Sequence, residues 1–192
     1  MSLSSTQKSA GLVGTHQNAY PLDSFYALRH APLPHMEFVD GTHVPEPYRR
    51  LLVHQSDMTS TLERFHQSSI SLNVIRCEAQ GAFYFREVLL LLDSNSKPVE
   101  FGAIRITLDC FPPEPRNLIL AAKLPLGRIL NDWKIPYISK PKSFLKIESD
   151  PILNDMFRLS TPATLYGRRN TLSLPDNTVL AEIVEILPPK ET

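Results

Sequence analysis

Cysteine, glycine and net charge are all scarce in this sequence. Only two cysteines occur in 192 residues, Cys77 and Cys110, and they lack CxxC spacing. A disulfide framework is therefore not expected, and both thiols are predicted to be buried and reduced, as in a cytosolic protein. Twenty basic residues balance twenty acidic ones, without a basic block. Because a phosphate backbone attracts clustered positive charge, nucleic acid is not expected as a partner.

Long apolar runs and cofactor motifs are also missing. The longest continuous apolar run, Val88 to Leu92, is far too short to span a bilayer, and no basic-then-apolar leader opens the chain. Gly102 and Gly127 are isolated, so no phosphate-binding loop is predicted, and the six histidines have no zinc-ligand spacing. The sequence thus predicts a cytoplasmic protein with no membrane span, no metal and no cofactor. It leaves the oligomeric state open, a monomer being one option.

The chain is predicted to form one domain with an N-terminal extension. A length of 192 residues suits a single hydrophobic core. Residues 1–33 show neither strand nor helix periodicity and carry Ser, Gln, Gly and Pro, which predicts a flexible arm that packs loosely. Residues 34–192 are predicted to be the globular domain.

The globular part has the pattern of an α+β fold. Helices are expected at residues 47–52 and 61–67, where Ser60 and Glu63 have capping-box spacing and Met58 lies at the helix entrance. A helical hairpin at residues 116–123 and 125–133 is expected to cover the sheet like a lid. Short connections predict a largely antiparallel sheet. Its six strands are expected at residues 70–78, 82–92, 99–109, 143–148, 164–174 and 178–187.

Arg86 is the first candidate for a binding residue. It shares one face of its strand with Tyr84, Val88 and Leu90, so its guanidinium is predicted to enter an apolar interior. A buried guanidinium needs an anionic partner. Two partners fit the pattern: a glutamate of the same chain, or the carboxylate of a ligand, which suits the bidentate fork of arginine.

A glutamate of the last strand is the candidate for proton transfer. Glu182 has aliphatic neighbours on its strand face, where burial would raise its pKa and suit it to that role. The alternative for Glu182 is an ion pair with Arg86 or Arg169. Glu185 points to the opposite face and takes the role if that face is the inner one, but Glu182 is preferred. Arg168 and Arg169 are adjacent, so only one of them can serve an internal site.

Three blocks and one strand carry a family resemblance. They are HQSDMT at His54 to Thr59, the strand YFREVLLLL, LPLGRIL at Leu124 to Leu130, and LYGRRNTL followed by VLAEIVEILP near the C-terminus. In this order they resemble the chorismate pyruvate-lyase family over about Leu51 to Pro188. Members convert chorismate into 4-hydroxybenzoate and pyruvate, and the product serves ubiquinone or plastoquinone synthesis. The resemblance implies a six-stranded antiparallel sheet whose helical hairpins close over a buried ligand cavity.

The resemblance also implies roles for individual residues. It implies a cofactor-independent carbon–oxygen lyase in which Arg86, Met58 and Leu126 hold the aromatic acid and Glu182 is the catalytic residue. The N-terminal arm and an insertion around residues 148–162 depart from the compact bacterial members, so the chain resembles a divergent branch.

Other functions are compatible with the same fold. Families of bacterial regulators use it as an effector-binding domain that holds small molecules without turning them over. A pure binding module of this kind needs Arg86 as an anchor but no acid beside it. A third alternative is a lyase relative that releases a different hydroxybenzoate.

Overall fold

The computed structural model describes residues 19–190, and this part of the chain forms a seven-stranded antiparallel sheet with helices on both faces. The strands are β1 (Met36–Val39), β2 (Ile70–Gln80), β3 (Phe83–Leu92), β4 (Pro98–Thr107), β5 (Ile138–Glu148), β6 (Thr164–Ser173) and β7 (Val179–Leu187). They lie in the spatial order β1-β5-β6-β7-β4-β3-β2. The predicted α+β fold class is confirmed, with seven strands in the described residues rather than six.

The helices are short, and several begin at residues suited to that position. Asp150 caps the helix Pro151–Phe157 by accepting a hydrogen bond from the Leu153 amide at 2.8 Å, and Pro151 is the first residue of that helix. The helices are α1 (Leu22–Leu28), α2 (Tyr48–Leu52), α3 (Met58–His66), α4 (Pro113–Ala121), α5 (Leu126–Asp132) and α6 (Pro151–Phe157), with 3₁₀ turns at Gly41–His43 and Leu108–Cys110. No helix within residues 19–190 is both long and apolar enough to cross a membrane.

The sheet has one edge strand, β1, that the sequence did not predict. The sequence does not predict β1, because its four residues are too few to show a period. β1 pairs along its whole length with β5. β5 begins at Ile138 instead of the predicted Ser143, because the strand continues through Pro141 with a shift of register. Proline is tolerated in a strand at such an irregularity.

One face of the sheet is covered by α1 and α6. Leu22, Phe25 and Tyr26 of α1 are buried in the same core as Leu153 and Phe157 of α6. The prediction of a loosely packed arm is therefore wrong for residues 19–33, where a seven-residue helix is too short to show a clear period. Residues 1–18, the rest of the predicted arm, lie outside the described residues.

The opposite face is covered by α2, α3, α4 and α5. The predicted helical hairpin is confirmed as α4 and α5. α3 begins at Met58, earlier than predicted, because its N-cap is Asp57, whose carboxylate accepts a hydrogen bond from the Ser60 amide at 2.7 Å. The prediction that Met58 lies at a helix entrance is confirmed.

The two cysteines lie in different environments. Both are free, but Cys77 is exposed and Cys110 is partly buried. The prediction of burial is wrong for Cys77, because β2 is an edge strand with a neighbour on one side only.

Candidate functional site

A cavity of about 60 Å³ lies between the sheet and the N-terminal ends of α3 and α5. Met58 and Leu126, the first residues of these two helices, form part of its wall. The remaining wall comes largely from side chains of the four strands β3, β4, β6 and β7. The polar strand residues of the wall are Arg86, Glu100, Asn170 and Glu185, and the apolar ones include Val88, Leu90, Ile104, Leu172 and Ile183.

Polar contacts hold α3 and α5 together over this cavity. Arg128 of α5 forms an ion pair with Glu63 of α3. The Asn131 amide nitrogen lies 3.4 Å from a carboxylate oxygen of Asp57. Gly127 permits the close approach, because a Cβ at this position would lie 2.9 Å from Asp57 Oδ1. Asp57, which caps α3, therefore also positions α5 over the cavity.

Arg86 enters the cavity without a carboxylate partner. Its side chain is 2% exposed, its Nε has no hydrogen-bond partner, and Nη1 lies 3.5 Å from the Leu124 carbonyl oxygen. Burial lowers the pKa of Arg86 to about 10, so the group still carries its charge at neutral pH. Within residues 19–190 no carboxylate forms an ion pair with it. The internal salt bridge that the sequence left open for Arg86 is thus not formed.

Arg168 is the buried arginine that does have an internal partner. It is fully buried, and its Nε donates a hydrogen bond to Glu185. Its terminal nitrogens donate to the main-chain carbonyls of Leu52, His54 and Ser56. Burial and the nearby Arg168 charge lower the pKa of His54. Arg168 therefore fastens the segment between α2 and α3 to the sheet.

Glu100 is a cavity residue that the sequence analysis missed. Its side chain is 5% exposed, and its Oε2 has no hydrogen-bond partner. Burial raises the pKa of Glu100 well above its ordinary value, and the neighbouring Glu185 adds to this, which favours the neutral carboxylic acid. The signal was present, because Glu100 alternates with Gly102 and Ile104 in an apolar strand, as Arg86 does in β3.

Gly102 leaves room for the Glu100 carboxyl group. A Cβ at this position would lie 3.2 Å from Glu100 Oε1 and 3.2 Å from Val88 Cγ2. A larger residue at position 102 would therefore press on both of these side chains.

Glu182 lies on the other face of the sheet. Its carboxylate forms an ion pair with Arg105 at 2.6 Å, and the Arg105 guanidinium lies 4.5 Å from the centroid of the Phe83 ring. The prediction that Glu182 points to the same interior as Arg86 is therefore wrong, and Glu185 takes that place. The physical reason is that helices cover both faces of the sheet, so both faces of β7 carry apolar residues and alternation does not show which one faces the cavity.

The structure brings three of the four predicted site residues together. Arg86, Met58 and Leu126 line one cavity, with Glu185 in the place predicted for Glu182. Their part in binding stays a prediction. In the described part of the chain, no group of three or more His, Cys, Asp or Glu side chains is arranged to hold a metal ion.

Comparisons with known proteins show a fold and no family. No family model and no curated protein matches the chain. The structure of gene product SA0254 from Staphylococcus aureus has a TM-score of 0.54 at 8% identity, covering 73% of this chain and 98% of that chain. The possible transcriptional regulator YydK from Bacillus subtilis has a TM-score of 0.50 at 7% identity, covering 65% of this chain and 59% of that chain.

A transcriptional regulator of the GntR family from Bacillus cereus has a TM-score of 0.43 at 12% identity, covering 64% of this chain and 96% of that chain. Its score is too low to carry a conclusion. Membership of the chorismate pyruvate-lyase family stays a prediction. At these identities the first two structures establish the fold alone: the chain folds as SA0254 and YydK do.

Proposed function

We propose that this chain binds a small organic acid in the cavity beneath α3 and α5, with the carboxylate of the acid on Arg86. The observation that carries this proposal is the buried guanidinium of Arg86, which keeps its charge but has no carboxylate partner among the described residues. A buried charge of this kind is costly unless an anion pairs with it. A ligand carboxylate supplies that anion in the bidentate geometry that arginine favours.

The cavity wall favours a compact, unsaturated ring. Met58 and Leu126 lie on the lid side, and Ile104 and Ile183 lie on the sheet side. The thioether of methionine packs well against the edge of an aromatic ring. A cavity of about 60 Å³ is far below the roughly 300 to 1,000 Å³ of sites for drug-sized ligands. The ligand is therefore small, and side chains of the lid move when it enters.

Binding without turnover agrees with the fold comparison. YydK, which shares this fold, is described as a possible transcriptional regulator. On this proposal the chain is a small-molecule-binding module. The sequence analysis gave this function as an alternative to the lyase, and we now prefer it.

A chorismate pyruvate-lyase activity is the second candidate, and one observation favours it. Arg86, Met58 and Leu126 share a cavity with a buried glutamate, as the family resemblance implies, although the residue is Glu185. Glu100 adds an acid with a raised pKa, which suits a proton donor. In this reaction the ether bond at C3 of chorismate breaks and the C4 hydrogen is lost. The departing enolpyruvyl unit gains a proton and becomes pyruvate, and the ring becomes 4-hydroxybenzoate.

Binding of 4-hydroxybenzoate, measured by calorimetry, tests the first proposal. Wild type is expected to bind with one-to-one stoichiometry, and Arg86→Leu is expected to lose at least tenfold in affinity. Glu182→Gln is the matched control, because Glu182 lies on the opposite face of the sheet. Failure of wild type to bind 4-hydroxybenzoate, benzoate or chorismate would overturn the proposal.

Incubation with chorismate separates the two candidates. A lyase releases pyruvate and 4-hydroxybenzoate in equal amounts, and Glu100→Gln then lowers the rate by roughly 10²- to 10⁴-fold if Glu100 is the general acid. A binding module releases neither product, while its affinity for the aromatic acid still depends on Arg86.

A further inference from the structure

A second cavity of about 670 Å³ lies on the other side of α2 and α3, next to the C-terminal end of β7. We call it the outer groove. It shares no lining residue with the cavity that contains Arg86. Its volume falls within the roughly 300 to 1,000 Å³ typical of sites that bury a small-molecule ligand. The outer groove is thus a separate candidate site.

The floor of the outer groove is apolar. Leu51, Leu62, Val99 and Leu187 all line it, and each is no more than 5% exposed. Phe65 stands at its rim with 38% of the residue exposed. An apolar floor beside an exposed aromatic ring is typical of a surface that binds a hydrocarbon group.

Basic side chains stand at the rim of the outer groove. Within residues 19–190, Arg50 and Lys190 are basic lining residues and Glu46 is an acidic one. The Arg50 guanidinium lies 5.2 Å from the centroid of the Phe65 ring, which places a cation at the edge of the apolar floor.

We propose that the outer groove binds an amphipathic carboxylate, with its hydrocarbon chain on the apolar floor and its carboxylate at Arg50. The positive charge of Arg50 at the rim favours an anionic head group. The apolar floor selects the tail, because each methylene taken out of water strengthens binding about fourfold. This site is independent of the one proposed for the small organic acid.

Calorimetric titration of the full chain with decanoate tests the proposal. Decanoate is expected to bind one to one, hexanoate at least tenfold more weakly, and decylamine not measurably. Arg50→Glu is expected to weaken decanoate binding at least tenfold. Arg64→Glu is the matched control, because Arg64 is an exposed arginine of α3 that does not line the groove.

Arg86→Leu distinguishes the two sites. It is expected to leave decanoate binding unchanged, because Arg86 does not line the outer groove. The proposal is overturned if wild type does not bind decanoate, including the case in which residues 1–18 or a second copy occupy the groove. It is also overturned if Arg50→Glu binds decanoate as wild type does, or if Arg86→Leu abolishes binding.

Discussion

Both faces of the sheet contain buried or half-buried arginine and glutamate side chains. The faces differ in which of these side chains form ion pairs with each other. On the face covered by α1 and α6, Glu87 is held by Arg29 at 2.5 Å and Glu182 by Arg105 at 2.6 Å. On the face covered by α2 to α5, Glu185 is paired with Arg168. Arg86 and Glu100 on that face keep nitrogen or oxygen atoms without partners.

The ion-paired side chains stabilise the fold, whereas Arg86 and Glu100 have polar atoms without a protein partner in the wall of the cavity. Buried polar atoms are nearly always satisfied in native proteins, because leaving one unpaired costs about 1 to 3 kcal/mol. The Nε atoms of Arg105 and Arg169 on the opposite face also lack partners, so an unpaired atom alone does not distinguish the faces. What distinguishes Arg86 and Glu100 is that both line one cavity, which is a reason to look for function there.

Removal of Arg168 should have the largest effect on stability. Arg168→Leu leaves the buried Glu185 without its partner and frees the three carbonyl groups that Arg168 binds. We expect a loss of about 3 to 5 kcal/mol in the free energy of unfolding, measured with urea. Arg105→Leu, on the other face, should cost only about 1 kcal/mol, since its ion pair is partly exposed. Equal losses would contradict the distinction between the faces.

Glu100→Gln should raise the stability of the protein at neutral and alkaline pH. The pKa of Glu100 is raised in the folded state, so the folded state binds its proton more tightly than the unfolded state does. The contribution of Glu100 to the free energy of unfolding is fully present below its pKa in the unfolded protein. It is lost as the pH rises through its pKa in the folded protein. Glutamine avoids this loss, and we expect a gain on the order of 1 to 3 kcal/mol at pH 8.

The check is a series of urea unfolding curves from pH 4 to pH 8. The advantage of the Glu100→Gln variant should be small at pH 4 and grow with pH. Wild-type and variant stabilities that run parallel across this range would show that Glu100 ionises as readily in the folded as in the unfolded protein.

Gly102→Ala tests whether the space beside Glu100 is needed. The added Cβ would lie 3.2 Å from Glu100 Oε1, so the carboxyl group must shift by a few tenths of an ångström. We expect a loss of about 1 kcal/mol in unfolding free energy and a several-fold loss in affinity for the acid. Thermal unfolding and calorimetry measure the two effects, and unchanged affinity would show that the ligand does not approach Glu100.

Glu182→Gln should have the smallest effect. Its ion pair with Arg105 is partly exposed, so we expect a loss of no more than about 1 kcal/mol. Ligand affinity should not change, because Glu182 does not line the cavity. Loss of binding or of turnover in this variant would restore the sequence-based assignment of Glu182.

Much of the fold could be predicted from local patterns. The strands that became β2, β3, β4, β6 and β7 show enough residues of the right type, bounded by turn residues, to be recognised. β1 and α1 could not be predicted, because four and seven residues are too few to show a period. β1 is held by its pairing with β5 and α1 by its packing on the sheet, and both are long-range effects.

The candidate site was only partly predictable. Arg86 stands out in the sequence as a charged residue within an apolar face of a strand, and Met58 and Leu126 were assigned by family resemblance. Glu100 shows the same alternation as Arg86 but belongs to none of the resembling blocks. Glu182 and Glu185 lie in equally apolar strand faces, so the sequence of β7 alone does not show which of them faces the cavity.

The sequence by itself determined that this chain builds an antiparallel α+β domain with an arginine inside it. Alternation along a strand determines that Arg86 is buried, because side chains at every second position share a face. Only the tertiary structure decided which face became the wall of a cavity. Helices cover both faces of the sheet, so burial alone cannot distinguish them. The ends of α3 and α5 meet over one face only, and there Arg86, Glu100 and Glu185 line the same space.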